Sequence, residues 1–158
     1  MEAQHYGQTR ASWECKEAKL MNEVLKQLIS HIELPEDHLK DQDPDIRDIF
    51  IEEVEEILEF QQQAIPQWLE NPSDQDVLTD IRRSFHTLKG SGRMAGAVQS
   101  GELAWSIEEM LNRVMFGAVA LTRDIQELVY SVSTLYQVLV EDFKSLEPHQ
   151  VELRTWIV

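Results

Sequence analysis

The stretch Ser84-Phe85-His86-Thr87-Leu88-Lys89-Gly90-Ser91-Gly92-Arg93-Met94-Ala95-Gly96 decides how the chain is read. Leu78, Ile81, Phe85 and Leu88 recur at spacings of three and four, the pattern of one apolar helix face. His86 follows Phe85 by one residue, about 100° round a helix of about 3.6 residues per turn. It therefore stands at the edge of the buried stripe, near solvent. Lys89, Gly90 and Arg93, at three, four and seven residues beyond it, share its side of the helix. Gly96 is a plausible break at the end.

Working outward, the same spacings run from end to end, and no sustained alternation marks a strand. The fold class expected is all-α. Trp13, Leu20, Val24, Leu25, Leu28 and Ile32 predict an additional N-terminal helix over about residues 11–33, closed by Pro35. Asp43-Pro44-Asp45 then supplies a capping acceptor and a first-turn proline ahead of Ile46, Phe50, Val54, Ile57 and Leu58. Pro66 is expected to kink or end that helix before Trp68 and Leu69. Ser73 followed by Asp76 resembles a capping box, with the helix containing His86 beginning near Asp74. Leu103, Ile107, Met110, Leu111 and Val114 predict the next helix, ended by Gly117. The last is capped by Thr122, patterned by Ile125, Leu128, Val132, Leu135, Leu139, Phe143 and Leu146, and finished before Pro148. Short connections make neighbours antiparallel, so the expectation is an up-and-down four-helix bundle. The division is an N-terminal extension over 1–40, the bundle over 41–148 and a tail over 149–158. The tail ends on Trp156, Ile157 and Val158, which suggests a piece of a larger protein.

A formal net charge of −15 over 158 residues argues against nucleic acid or an anionic membrane as partner. Of the 29 acidic residues, however, none lies between Ile81 and Gly101, where Arg82, Arg83, Lys89 and Arg93 cluster. A small basic island thus surrounds His86 in an acidic chain. The single cysteine, Cys15, excludes an internal disulfide and a four-cysteine metal site, and a reducing, cytoplasmic setting is expected. The N-terminus lacks an apolar signal core, and charges interrupt every apolar run before the roughly 20 residues of a membrane span.

Imidazole is a nucleophile that can act near neutral pH. Gly90 and Gly92 each cost a helix about 1 kcal/mol relative to alanine, so something besides helix formation requires them. Clearance explains them: a missing side chain one turn after His86 lets a partner's backbone or a transferring phosphoryl group approach the ring. Lys89 and Arg93 could balance the phosphoryl oxygens.

The run His-x-x-Lys-Gly-Ser followed by Gly96, on an amphipathic helix of a bundle, resembles the phosphorylation site of histidine phosphotransfer (HPt) domains. Phe-His-Thr-Leu-Lys-Gly is similar to the first domain of chemotaxis-type (CheA-like) histidine kinases and their relatives in pilus-based twitching motility. The resemblance covers about residues 43 to 146. It implies that His86 is phosphorylated, that Lys89 is its basic neighbour, and that Gly90, Ser91, Gly92 and Gly96 give access and packing. It also implies a glutamate on the next helix, here Glu108, bonded to the ring nitrogen that carries no phosphoryl group. Read without the resemblance, Glu108 is equally a surface charge beside Glu109. Where kinase members often place a second histidine this chain has Trp105, which leaves the expected hydrogen-bond network short of one partner.

No nucleotide-binding signature is present, so ATP or phosphoaspartate, with Mg²⁺, would come from a partner. The partners implied are a receiver domain of a response regulator and a histidine kinase catalytic domain, met through Arg82, Arg83, Arg93 and Trp105. The glycines of 90–96 do not form a dinucleotide loop, because a helix rather than a strand precedes them. No pair of Glu-x-x-His motifs faces inward to hold metals; Glu2 to His5 is the single match. One rival remains, a bundle that has lost phosphorylation and serves as a protein-binding scaffold. The two helix-weakening glycines beside His86 count against it.

Overall fold

The computed structural model describes residues 34–146. The helix expected over 11–33 and the tail 149–158 lie outside the described residues. Within them a 3-10 turn, Leu39–Asp41, precedes four helices: α1 (Pro44–Glu70), α2 (Gln75–Ala95), α3 (Val98–Met115) and α4 (Arg123–Ser145). The expected caps are largely in place. Asp43 accepts from the Asp45 amide at 2.9 Å with Pro44 opening α1. Thr122 accepts from the Ile125 amide at 3.3 Å. Gly96 and Gly117 adopt left-handed φ of 82° and 74°. At the end of α3, Gly117 N–H bonds Val114 O and Ala118 N–H bonds Arg113 O, the two crossed bonds of a Schellman close.

Three expectations need correction. α1 does not end at Pro66 but continues to Glu70. An internal proline costs about 3 kcal/mol, whereas burying a tryptophan returns about 4–6 kcal/mol; Trp68 and Ile65 are buried and hold the last turn. The cap of α2 is Asp74, whose carboxylate accepts from the Val77 amide at 3.1 Å, so the Ser73 capping box does not form. Ile46, Leu128 and Leu146 leave the apolar stripes and lie exposed, Leu146 because the chain turns left-handed there with φ 57°.

Side-chain bonds between the helices give their directions. Glu53 meets Ser91 while Gln61 meets Ser84, so α1 and α2 run antiparallel. Glu102 meets Arg93 while Glu108 meets Lys89, which does the same for α2 and α3. Lys144 meets Glu55 while Gln126 bonds Trp68 O, which sets α4 antiparallel to α1. The result is an up-and-down four-helix bundle. Its core holds Trp68, Phe85, Leu103, Leu111 and Leu139, with the Phe50 and Phe143 rings packed in a tilted arrangement, 5.3 Å between centroids.

Packing extends back to Leu34, into the segment that the sequence assigned to the extension. His38 N–H bonds Gly96 O at 2.6 Å, Asp37 accepts from the Gln99 amide at 2.8 Å, and Leu39 is buried. This strap occupies the space a side chain at position 96 would need: a Cβ there would lie 2.9 Å from the His38 carbonyl carbon.

Candidate functional site

His86 projects from the middle of α2 with 58% of its side chain exposed, while its neighbours Phe85 and Leu88 are buried. The edge position read from the sequence is the one observed. Facing it across the α2–α3 seam is Glu108, whose side chain is only 6% exposed. Of the two readings of that residue, the surface charge is therefore set aside. Nδ1 of His86 lies 2.7 Å from Glu108 Oε1, and Lys89 Nζ lies 2.6 Å from Oε2.

These two bonds fix the tautomer. An ionised carboxylate only accepts, so the ring must donate its Nδ1–H. The 3.3 Å approach of Lys89 Nζ to the same nitrogen is then proximity rather than a bond, because Nδ1 has no lone pair left to offer. Burial pushes the Glu108 carboxyl up, but the hydrogen bonds and charges of Lys89 and His86 outweigh it and hold the carboxyl below its ordinary value. Glu108 is thus ionised at neutral pH and the lone pair of His86 is left on Nε2. No hydrogen bond to Nε2 is found among the described residues.

Both oxygens of Glu108 are engaged without any help from position 105. The network expected to lack a member is closed by Lys89. Trp105, three residues before Glu108 on α3, is 44% exposed and presents an aromatic surface instead.

The glycines separate into different tasks. A Cβ on Gly90 would meet nothing within 4 Å, so no packing among the described residues requires a glycine there, and the clearance reading is left standing. Gly92 is not an access residue. A Cβ there would lie 3.1 Å from Ala97 O and 3.2 Å from the Gly101 backbone. Gly101 in turn would place a Cβ 3.2 Å from Lys89 O. The α2 and α3 backbones touch at this crossing, which sequence reasoning missed on the α3 side. Ser91 also packs, its hydroxyl donating to Glu53 at 2.5 Å.

The basic island is mostly paired. Arg93 donates through two nitrogens to Glu102 Oε1 at 3.0 and 2.7 Å, and Arg83 lies 3.3 Å from Asp80. Arg82 is 3.7 Å from Glu108 Oε1. Below the site, a buried Gln61 amide donates to Ser84 Oγ at 2.8 Å, and Ser84 donates to Ile81 O at 2.6 Å. The signal for this pair was present as a polar residue on the stripe Val54, Leu58, Gln61, Ile65, Trp68. Among the described residues no group of three or more His, Cys, Asp or Glu side chains is placed to hold a metal ion, and no helix is long and apolar enough to cross a membrane.

The Hpt domain family matches residues 45–146, well over half of the chain. The chain belongs to the Hpt domain family. It is a histidine phosphotransfer domain of the kind used in phosphorelay signalling. Among curated proteins, this Hpt domain is similar to the chemotaxis protein CheA of Listeria monocytogenes, 27% identical over 97 residues, which are 61% of this chain and 16% of that protein. It is similar to the sensor histidine kinase CheAY of Helicobacter pylori, 31% identical over 96 residues, 61% of this chain and 12% of that one. Chemotaxis protein CheA of Borreliella burgdorferi is 24% identical over 83 residues, 52% of this chain and 10% of that protein. The chain thus spans less than a fifth of the length of each of these relatives. No solved structure matches it.

Proposed function

We propose that this Hpt domain accepts a phosphoryl group on Nε2 of His86 and passes it to, or takes it from, an aspartate of a response-regulator receiver domain in the cytoplasm. The observation that carries the reading is the 2.7 Å bond between Nδ1 and a buried, ionised Glu108. It orients the ring, assigns the proton to Nδ1 and aims the remaining lone pair at solvent.

The transfer balances on these groups. The Nε2 lone pair forms a bond to phosphorus while the P–O bond to the donor aspartate breaks, and the electron pair leaves on the aspartate carboxylate. The ring becomes a phosphorylated imidazolium that keeps its Nδ1 proton, and the adjacent Glu108 carboxylate offsets the new positive charge. Lys89 is a positioning residue: it holds the second oxygen of Glu108 and so fixes the carboxylate. Mg²⁺, and the ATP or phosphoaspartate that supplies the phosphoryl group, belong to the partner's active site. By its likeness to CheA-type kinases, the donor is a kinase catalytic domain or a phosphorylated receiver, with twitching motility as the setting suggested by the motif Phe-His-Thr-Leu-Lys-Gly.

The test is incubation with a phosphorylated receiver or a kinase catalytic domain and labelled phosphoryl donor. The native chain acquires acid-labile label and His86→Gln acquires none, a loss of at least a hundredfold on the order expected for removal of a nucleophile. Label persisting in His86→Gln overturns the assignment. No label on the native chain from several donors favours the scaffold reading.

A further inference from the structure

Four cations surround His86, and the structure distributes them unequally. Lys89 is committed to Glu108 Oε2 at 2.6 Å, Arg93 to Glu102 at 2.7 Å and Arg83 to Asp80 at 3.3 Å. Arg82 differs. Its nearest carboxylate oxygen, Glu108 Oε1, is 3.7 Å away, beyond hydrogen-bond reach and already occupied by the His86 ring. Its Nε is buried and has no hydrogen-bond partner among the described residues. A guanidinium cannot shed its proton to escape such a position, and it presents donors in a planar fork. Arg82 lies four residues before His86, one turn along the same face of α2, and its guanidinium and the imidazole approach one carboxylate oxygen.

We infer that Arg82 is the residue that receives the phosphoryl oxygens of phosphorylated His86. The inference rests on His86 as the acceptor. Lys89 and Arg93, the side chains that sequence spacing singled out for this task, are held by carboxylates. Arg82 is the cation of the island that no carboxylate holds in a hydrogen bond, its one ion-pair contact being the 3.7 Å approach to Glu108. A phosphoryl group on Nε2 supplies oxygens next to the imidazolium, and the fork takes them in charge-assisted bonds. The same bonds act on the transition state, where those oxygens carry the developing charge.

Phosphoramidate tests this without a partner protein. Nε2 forms its bond to phosphorus as the donor's P–N bond breaks, with the electron pair leaving on ammonia. The full chain is compared with Arg82→Gln, Arg82→Lys and Arg113→Gln, following label uptake and the ³¹P resonance of the phosphohistidine as pH is varied. The expected result is uptake about tenfold slower in Arg82→Gln, an intermediate rate in Arg82→Lys because charge remains but the fork is lost, and a native rate in Arg113→Gln, a cation on α3 paired with Glu109. The phosphoryl group should also titrate at lower pH in the native chain than in Arg82→Gln, since an adjacent cation favours its dianion. A merely structural role for Arg82 would not move that titration. Arg82→Gln labelling within twofold of native, an unmoved titration, or an equal loss in Arg113→Gln overturns the inference while leaving His86 in place. Failure of the native chain to label overturns both.

Discussion

The α2–α3 seam is built in two different ways along its length. At the end near Gly92 and Gly101 the backbones touch, and no side chain separates them. Two turns away, around His86 and Glu108, the helices are joined by a carboxylate that accepts from both the imidazole and Lys89. The first region has steric specificity and no chemistry; the second has chemistry that needs a fixed register. What the contrast teaches is that the glycine crossing acts as the datum. It sets how far α3 slides along α2, and thereby which α3 residue arrives opposite His86.

Overfilling the crossing is the most severe way to break this arrangement. Gly92→Leu should cost about 3 kcal/mol in urea unfolding, because the atoms it meets are backbone that cannot swing aside. A cost below about 1 kcal/mol would mean the seam is softer than the contact distances imply. Loss of phosphotransfer in whatever fraction remains folded would tie the register to the site.

The polar end is probed by Glu108→Gln, expected to cost about 1–2 kcal/mol by removing the carboxylate that pairs with Lys89. The sign of its pH dependence follows from the direction of the shift. Because the folded carboxyl is held below its ordinary value, its contribution is fully present above the unfolded carboxylate range. That contribution is lost as pH falls through the folded value. Urea unfolding between pH 7 and pH 3 should therefore show a steeper acid loss in the native chain than in Glu108→Gln. Parallel curves would show that Glu108 contributes nothing on ionisation.

The smallest effect has the opposite sign. Gly90→Ala adds a Cβ that touches nothing among the described residues and restores helix propensity, so stability should rise by about 0.5–1 kcal/mol while transfer from a phosphorylated receiver slows. A variant that is both more stable and equally fast would remove the clearance argument.

Much of this was legible in the residues. The four helices follow from spacings of three and four together with Asp43, Thr122, Gly96 and Gly117, all local signals, and His86 at the stripe's edge follows from Phe85 and Leu88. Glu108 was reached by counting along a resemblance, since no local pattern separates it from Glu109. Its burial arises only once α3 lies against α2. Gly92 was misread because one glycine's need for space depends on what faces it, and Gly101 stands nine residues further on another helix. Pro66 misled for a related reason: the rule for an isolated helix omits the Trp68 pocket. The division of labour among the cations was equally hidden, since spacing assigns a face but not a partner.

The shared carboxylate has a consequence for how the carrier cycles. With the Nδ1–H of His86 and Lys89 both bonded to Glu108, the transfer at Nε2 needs no proton to leave the imidazole in either direction. Forward and reverse steps then pass through one arrangement of atoms, with no acid or base to be reset in between. Such a station imposes no direction on its traffic. The flow is set by the phosphorylation potential of whichever donor and acceptor dock on either side of it.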